Sequence, residues 1–244
     1  MPWFDLPLAE LRGHRTGTEE PPGLTGWWEQ RLSEARAAAR PPEVTGYQPG
    51  IYALAGTCDV EFSGARGDRI RGWYLRPADA GGGPGPVVVT FIGYGGGRGL
   101  PTQHILLPAL GYAVFVMDTR GQGGRWSTGA TGDPAAHSPG PENSTVMARG
   151  ITRPGDYYYT RLFTDAARAV ETAAELDGAD PARIAVSGGS QGARWRSPPR
   201  RCSARRPRSA TPTSRSSATS SGRSPWHLAP RTRRGRSSSP RTWT

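Results

Sequence analysis

The chain has 244 residues and a formal net charge of +11, and all 31 of its basic residues are arginine. Residues 1–192 contain 17 Arg against 20 Asp and Glu, a net charge of −3, whereas residues 193–244 contain 14 Arg and no acidic residue. The charge therefore excludes a protein that is basic throughout, and it divides the chain into a near-neutral region, residues 1–192, and an arginine-rich tail, residues 193–244.

Hydropathy and cysteine content exclude several further classes. The longest apolar run, residues 86–92, is far shorter than the roughly 18 residues that span a bilayer. The first residues lack the basic region and apolar core of a signal peptide, so we expect a soluble cytoplasmic protein with no membrane partner. Cys58 and Cys202 form neither a CxxC pair nor a metal-ligand spacing, so we expect no disulfide framework and no metal site.

The first elements in chain order are a helix and a hairpin. Apolar residues at three- and four-residue spacing predict an amphipathic helix over residues 27–39. The β-prone stretches 51–62 and 69–76 are separated by a glycine-containing turn, which predicts an antiparallel hairpin.

Three short apolar runs, residues 86–92, 112–117 and 183–187, predict strands buried on both faces. A helix with one apolar stripe over residues 157–176 precedes the last of them. Strands that alternate with helices predict an α/β fold with a parallel sheet. Residues 119–155 form a long irregular loop after a strand end, which is where such sheets bind ligands.

Residues 188–192 read GGSQG, a Gly-x-Ser-x-Gly pattern directly after the last predicted strand. Such a pattern makes a sharp turn from strand to helix that exposes one strained serine, here Ser190, and flanking glycines avoid collisions with the neighbouring strand. The N–H of Gln191 would then face a developing oxyanion. The alternative is a glycine-rich loop without chemistry, but the position after a buried strand favours a nucleophile.

A second oxyanion donor is expected from the loop that follows strand 86–92. Residues 93–99 read GYGGGRG, and their glycines let the backbone approach a substrate closely. The Tyr94 N–H is the candidate donor. A merely flexible loop and a phosphate-binding loop are the alternatives, although the segment has neither the Gly-Lys-Ser/Thr nor the GxGxxG spacing of phosphate-binding loops.

Several segments in order carry a resemblance to a known family. Residues 91–99 (FIGYGGGRG), 116–123 (VMDTRGQG), 147–151 (MARGI), 157–159 (YYY) and 188–192 (GGSQG) closely resemble the acetyl xylan esterase / cephalosporin C deacetylase family, carbohydrate esterase family seven. The resemblance covers essentially residues 1–192. It implies an α/β-hydrolase fold, here incomplete, and hydrolysis of acetyl esters of small xylo-oligosaccharides and of cephalosporin C. It also implies a mechanism without metal or cofactor, and usually a homo-hexamer.

Residue by residue, the resemblance implies that Ser190 is the nucleophile and that Tyr94 and Gln191 supply the oxyanion N–H groups, with Tyr94 also contacting the substrate. Arg120 to Gln122 match the family's Arg-Gly-Gln motif, and we predict a structural role for Asp118, Arg120 and Gln122. Asp118 has the chemistry of a triad acid, but it precedes the serine, whereas the order in this fold is serine, acid, histidine.

The family pattern stops after Gly192. Residues 193–244 are rich in Arg, Ser, Pro and Thr, and Leu228 is their only aliphatic residue larger than alanine, so we predict a disordered tail. No acidic residue follows Asp180, and the one downstream histidine, His227, matches no family motif. Because the triad acid and base are then missing, we expect this chain to be inactive.

The tail has three interpretations. Its arginines and Trp195, Trp226 and Trp243 could bind RNA or another polyanion, or it could be an inert segment. It could also be an out-of-frame translation. We back-translated the tail with GC-rich codons and read it in the frame that starts at the third base of each codon. In that frame residues 193–200 yield ALALAAA, and residues 211–226 yield DADVPFLCDFERAVTL, which resembles the family's next elements. We favour the out-of-frame interpretation; an RNA-binding protein and a non-catalytic carbohydrate-binding relative stay open as alternatives.

Overall fold

The computed structural model of the chain describes residues 6–15, 17–79, 81, 83–134 and 146–194. Almost all of the arginine-rich tail is outside these ranges. The predictions that concern Cys202, His227 and the tail tryptophans Trp195, Trp226 and Trp243 therefore lie outside the described residues.

Six strands form one sheet in the order β1-β2-β3-β5-β4-β6. The strands β1 to β3 and β5 pair antiparallel in that order, and β4 pairs parallel with both β5 and β6. The strand bounds are Glu43–Gly46 (β1), Ala55–Ser63 (β2), Arg69–Pro77 (β3), Gly85–Phe91 (β4), Ala113–Met117 (β5) and Ala179–Gly188 (β6). The sheet thus combines an antiparallel meander with a parallel part, and the parallel part carries both predicted catalytic loops at its carboxyl edge.

The α-helices are Leu8–Gly13 (α1), Leu24–Ala37 (α2), Leu106–Ala109 (α3), Tyr158–Glu175 (α4) and Gln191–Arg194 (α5), with 3-10 turns at Ala65–Gly67 and Pro101–His104. The apolar stripe of α4 packs on one face of the sheet and completes the larger core. A smaller core that includes Trp73 and Ile92 occupies the opposite face. None of the helices in the described ranges combines the length and the apolar character that crossing a bilayer requires.

The predicted α/β fold is confirmed, and so are the hairpin, which is β2 and β3, and the parallel pairing of the three apolar strands. One prediction is wrong: β6 is not buried on both faces. It is the last strand at one edge of the sheet, and Ala185 and Ser187 are exposed. The sequence pattern also gave no indication of α1 or of β1. All residues of both elements are exposed, and neither element has an apolar stripe.

A buried ion pair fixes the loop that follows β5 to α4. Arg120 and Asp165 are fully buried and form a bidentate pair, with Nε to Oδ2 at 2.5 Å and Nη2 to Oδ1 at 2.7 Å. Asp68, in the turn of the hairpin, accepts a further hydrogen bond from Arg120 at 2.9 Å. Burial opposes the charged guanidinium, but the adjacent Asp165 carboxylate outweighs it and raises the pKa of Arg120. These contacts fit the structural role predicted for Arg120.

A second cluster lies beside the first. The buried Asp133 accepts hydrogen bonds from Arg161 of α4 and from Arg149, and it lies 3.4 Å from Arg120 Nη1. Burial by itself would raise the pKa of the Asp133 carboxyl, but the two guanidinium donors outweigh it and lower that pKa. The irregular loop is therefore tied to α4 at two points, through Arg120 and through Asp133.

Replacing Arg120 with Met should lower the free energy of unfolding by about 3–5 kcal/mol, because Asp165 would stay buried without its countercharge. Arg183→Met is the matched control: it removes an exposed pair with Asp180 and should lower the free energy of unfolding far less. Urea unfolding of the two variants measures the difference. An equal loss of free energy of unfolding in both variants would show that the buried Arg120 pair stabilises the fold no more than an exposed pair does.

Candidate active site

Ser190 lies at the sharp turn between β6 and α5. Its φ angle is +52°, in the left-handed region that residues with a side chain rarely adopt, and its side chain is exposed. The turn is closed by hydrogen bonds from Gly192 N–H to the Gly189 carbonyl (2.9 Å) and from Ala193 N–H to the Ser190 carbonyl (3.0 Å). This is the strained, exposed geometry that the Gly-x-Ser-x-Gly pattern predicts for a nucleophile.

Two of the three glycines of this turn are needed, because a side chain there would collide with backbone atoms. A Cβ atom on Gly192 would lie 2.4 Å from the Phe91 carbonyl oxygen of β4, and one on Gly188 would lie 2.5 Å from the Gly192 carbonyl oxygen. A Cβ atom on Gly189 would meet nothing within 4 Å. Gly188 and Gly192 therefore allow the turn to pack against itself and against β4, whereas Gly189 faces open space.

The loop after β4 lies against the serine turn, as predicted. A Cβ atom on Gly93 would lie 3.8 Å from the Ser190 Cβ atom and 3.6 Å from the Gly189 carbonyl oxygen. Within the described residues, the backbone N–H groups of Tyr94 and Gln191 donate to no other group. The structure thus brings Ser190 together with the loop of Tyr94 and with the start of α5, the two segments predicted to supply the oxyanion N–H groups.

Gln122 connects the two loops. Its Oε1 atom accepts a hydrogen bond of 2.6 Å from the Gly95 N–H, so its Nε2 atom must be the donor on the other side. That atom donates to the Tyr158 hydroxyl (2.7 Å) and to Oε1 of Gln191 (3.3 Å). A single amide therefore joins the Tyr94 loop, the serine turn and the first residue of α4.

One more contact positions the Gln191 side chain. Its Oε1 atom also accepts a hydrogen bond of 2.9 Å from the Tyr159 hydroxyl, and the residue is 8% exposed. Its Nε2 atom is buried without a partner among the described residues. Because both neighbouring donors face Oε1, the orientation of this amide is fixed.

Asp118, the first residue after β5, holds the far end of the loop of residues 93–99. Its carboxylate accepts hydrogen bonds from the backbone N–H groups of Arg98 (2.8 Å), Thr119 (3.0 Å) and Ala130 (2.6 Å). Burial raises the pKa of Asp118, and the N–H donors act in the opposite direction. Asp118 is thus committed to backbone groups, and this fits the structural role predicted for it rather than a triad acid.

Sequence reasoning gave no role to Tyr158, Tyr159 or Trp126, although all three lie at this site. The Tyr158 hydroxyl donates to the Arg120 carbonyl (2.6 Å), and the Trp126 indole N–H donates to the Tyr94 carbonyl (2.9 Å). A tyrosine pair at the start of a predicted helix, and an aromatic residue inside a polar loop after a strand end, are the signals that could have found them.

The geometry agrees with the comparison to known families. The family model described as acetyl xylan esterase (AXE1) matches residues 1–195. The chain belongs to the acetyl xylan esterase family. The family match extends beyond the serine turn by only three residues, which are the first three of the arginine-rich tail.

Solved structures of the family are similar to this chain in fold. The acetyl xylan esterase from Paenibacillus sp. R4 is 30% identical with a TM-score of 0.66, over 78% of this chain and 58% of that one. Acetyl Xylan Esterase 1 from Thermoanaerobacterium sp. JW/SL YS485 is 27% identical with a TM-score of 0.67, over 79% of this chain and 58% of that one. This chain therefore matches less than two thirds of the length of either relative.

The glycine requirements of the serine turn can be tested directly. Gly192→Ala should lower the free energy of unfolding by about 1–3 kcal/mol, because its methyl group would press on the β4 backbone. Gly189→Ala, three residues earlier in the same turn, should change it by less than about 0.5 kcal/mol, since its methyl group would face open space. Thermal or urea unfolding gives both values, and a neutral Gly192→Ala would contradict the close packing of the turn on β4.

Proposed function

We propose that residues 1–192 carry the nucleophile and the oxyanion site of a serine esterase that removes acetyl groups from small acetylated sugars. The observation that supports this most is the meeting of the strained Ser190 turn with the loop of Gly93 and Tyr94. The names of the two relatives, both acetyl xylan esterases, support the choice of an acetylated carbohydrate. By the same family resemblance, the acetyl ester of cephalosporin C is a second proposed substrate.

In the proposed mechanism, the Ser190 Oγ atom attacks the acetyl carbonyl carbon while a general base accepts the hydroxyl proton. The negative charge that develops on the carbonyl oxygen is stabilised by the Tyr94 and Gln191 N–H groups. The bond from the carbonyl carbon to the sugar oxygen then breaks, and the proton passes to that oxygen. Water attacks the acetyl-serine in the same way, which releases acetate and restores the serine.

The proposed mechanism needs a base and an acid that the described residues do not supply. Of the histidines in the described ranges, His104 is hydrogen-bonded to the Arg98 carbonyl, and His14 lies in the exposed segment after α1. Asp118 is held by three backbone N–H groups. We therefore propose that the 244-residue chain is close to inactive, since loss of triad members lowers turnover by roughly 10⁴–10⁶-fold.

We further propose that the missing acid and base are encoded in another reading frame after codon 192. Inserting one base after that codon moves translation into the frame in which residues 193–200 become ALALAAA. This sequence favours a helix in the place where α5 begins, because alanine and leucine have high helix propensity. We call the product of that gene the restored-frame chain.

The restored-frame chain should hydrolyse p-nitrophenyl acetate and acetylated xylobiose, with kcat/KM at least about 10⁴-fold above that of the 244-residue chain. The matched control is Ser190→Ala in the restored-frame chain, which should remove the activity while leaving the fold intact. Spectrophotometric assay and acetate release measure the two substrates.

Two results would contradict the proposal that the acid and base are encoded in another reading frame. One is a 244-residue chain that hydrolyses either ester as fast as the restored-frame chain. The other is a gene sequence across codons 190–195 that contains no alternative esterase frame. Hydrolysis that survives Ser190→Ala would remove Ser190 as the nucleophile.

A further inference from the structure

Trp126 is held rigidly beside the predicted oxyanion loop. Its Nε1–H group donates to the Tyr94 carbonyl at 2.9 Å. The backbone on both sides of it is bonded to the same loop, through Arg125 N–H to the Gly95 carbonyl (3.2 Å) and Gly97 N–H to the Ser127 carbonyl (2.9 Å). The indole therefore has a fixed position although 61% of the residue is exposed.

The ring lies next to Ser190. A Cβ atom on Gly93 would be 3.5 Å from Trp126 Cζ2 and 3.8 Å from Ser190 Cβ, so the indole and the serine border the same small space. A Cβ atom on Gly96 would lie 2.3 Å from Trp126 Cζ2. Glycine at position 96 thus lets the indole rest directly on the loop, and glycine at position 93 keeps open the space between indole and serine.

Single exposed apolar side chains are common on protein surfaces, so the exposure of Trp126 alone indicates nothing. What distinguishes this indole is the combination of a hydrogen-bonded N–H, a largely exposed ring and the nearby serine. The peptide unit that joins Tyr94 to Gly95 is also held at both ends, because Trp126 binds its carbonyl and Gln122 accepts from its N–H. The position of the indole is therefore coupled directly to the loop that carries the Tyr94 N–H.

The surroundings of Trp126 match a sugar better than an alkyl chain. Arg125 and Thr128 are exposed and Ser127 is half-buried, so the residues that flank the indole in the chain are polar and can be reached from solvent. A pyranose ring has one face of C–H groups, which packs on the electron-rich face of an indole, and a rim of hydroxyl groups that need hydrogen-bond partners. An alkyl or aryl ester would favour a pocket with several apolar walls instead.

We propose that Trp126 is the platform on which the sugar ring of the acetyl ester stacks, so that the acetyl group enters the space between the indole and Ser190. The proposal rests on the esterase function proposed above and assigns the residue that selects a sugar as the alcohol part. Trp126 contacts the substrate but takes no part in bond making or breaking.

Binding to the full 244-residue chain tests this without any hydrolysis. The probes are methyl tri-O-acetyl-β-xylopyranoside and, as an ester without a ring, glycerol triacetate, with Kd values from ligand-observed NMR. Trp126→Ala and Trp126→Leu should weaken xyloside binding at least tenfold and leave triacetate binding within twofold. Trp126→Phe, which keeps a flat ring, should stay within threefold of the unmodified chain for both probes.

Two further variants complete the test. Gly93→Ala adds a methyl group at ordinary van der Waals distances from the indole and the serine, so it should fold normally yet weaken xyloside binding at least tenfold. Trp27→Ala removes an indole on α2 and should leave both Kd values unchanged. Near-UV circular dichroism of every variant verifies the fold, and Gly93→Ala keeps the test decisive if the Trp126 variants fold poorly.

The proposal is overturned if Trp126→Ala binds the xyloside as the unmodified chain does, if Trp126→Ala weakens both probes equally, or if the unmodified chain shows no preference for the xyloside. Ser190→Ala should keep xyloside binding. An inactive restored-frame chain with intact Trp126-dependent binding would defeat the esterase proposal alone, whereas an active chain without such binding would defeat only the platform.

Discussion

The Gln122 side chain makes hydrogen bonds to all the segments that build the candidate site. Its Oε1 atom accepts from the Gly95 N–H, and its Nε2 atom donates to Tyr158 of α4 and to Gln191 of the serine turn. Because an amide has a fixed length and a defined donor and acceptor end, these contacts tie the loop of Tyr94 to the turn of Gln191. Arg120, two residues before Gln122, is paired with the buried Asp165 of α4, and this pair keeps the Gln122 loop itself in place.

The same geometry requires backbone strain that the core must offset. Ser190 has a positive φ angle, which costs of order 1–3 kcal/mol, and Gly192 packs directly on the β4 backbone. The parallel pairing of β4 with β6 and the apolar stripe of α4 supply the packing against which this turn is held. The site is therefore prearranged by the described residues, even though the base and acid of the proposed mechanism are not among them.

Sequence periodicity predicted the hairpin, α4 and the three parallel strands well, because each has a run or a stripe of apolar residues. The Gly-x-Ser-x-Gly pattern and the glycine loop led to Ser190, Tyr94 and Gln191, because glycine spacing records where backbones approach closely. The edge position of β6 was not predictable, since an apolar strand reads the same at an edge and in the middle of a sheet. The partners of Gln122, and the position of Trp126 beside Ser190, also needed the structure, because they join residues far apart in the chain.

We propose that one amide, the Gln122 side chain, holds the two predicted oxyanion donors at the separation that catalysis needs. The kcat/KM of the restored-frame chain for p-nitrophenyl acetate, measured with Gln122 replaced by Leu, tests it most directly. We predict a fall of about 10²–10³-fold, as when an oxyanion donor is lost, and a fall of less than about tenfold for Tyr158→Phe, which leaves the bonds to Gly95 and Gln191 in place. A folded Gln122→Leu chain with kcat/KM within threefold of the unmodified restored-frame chain would contradict the claim.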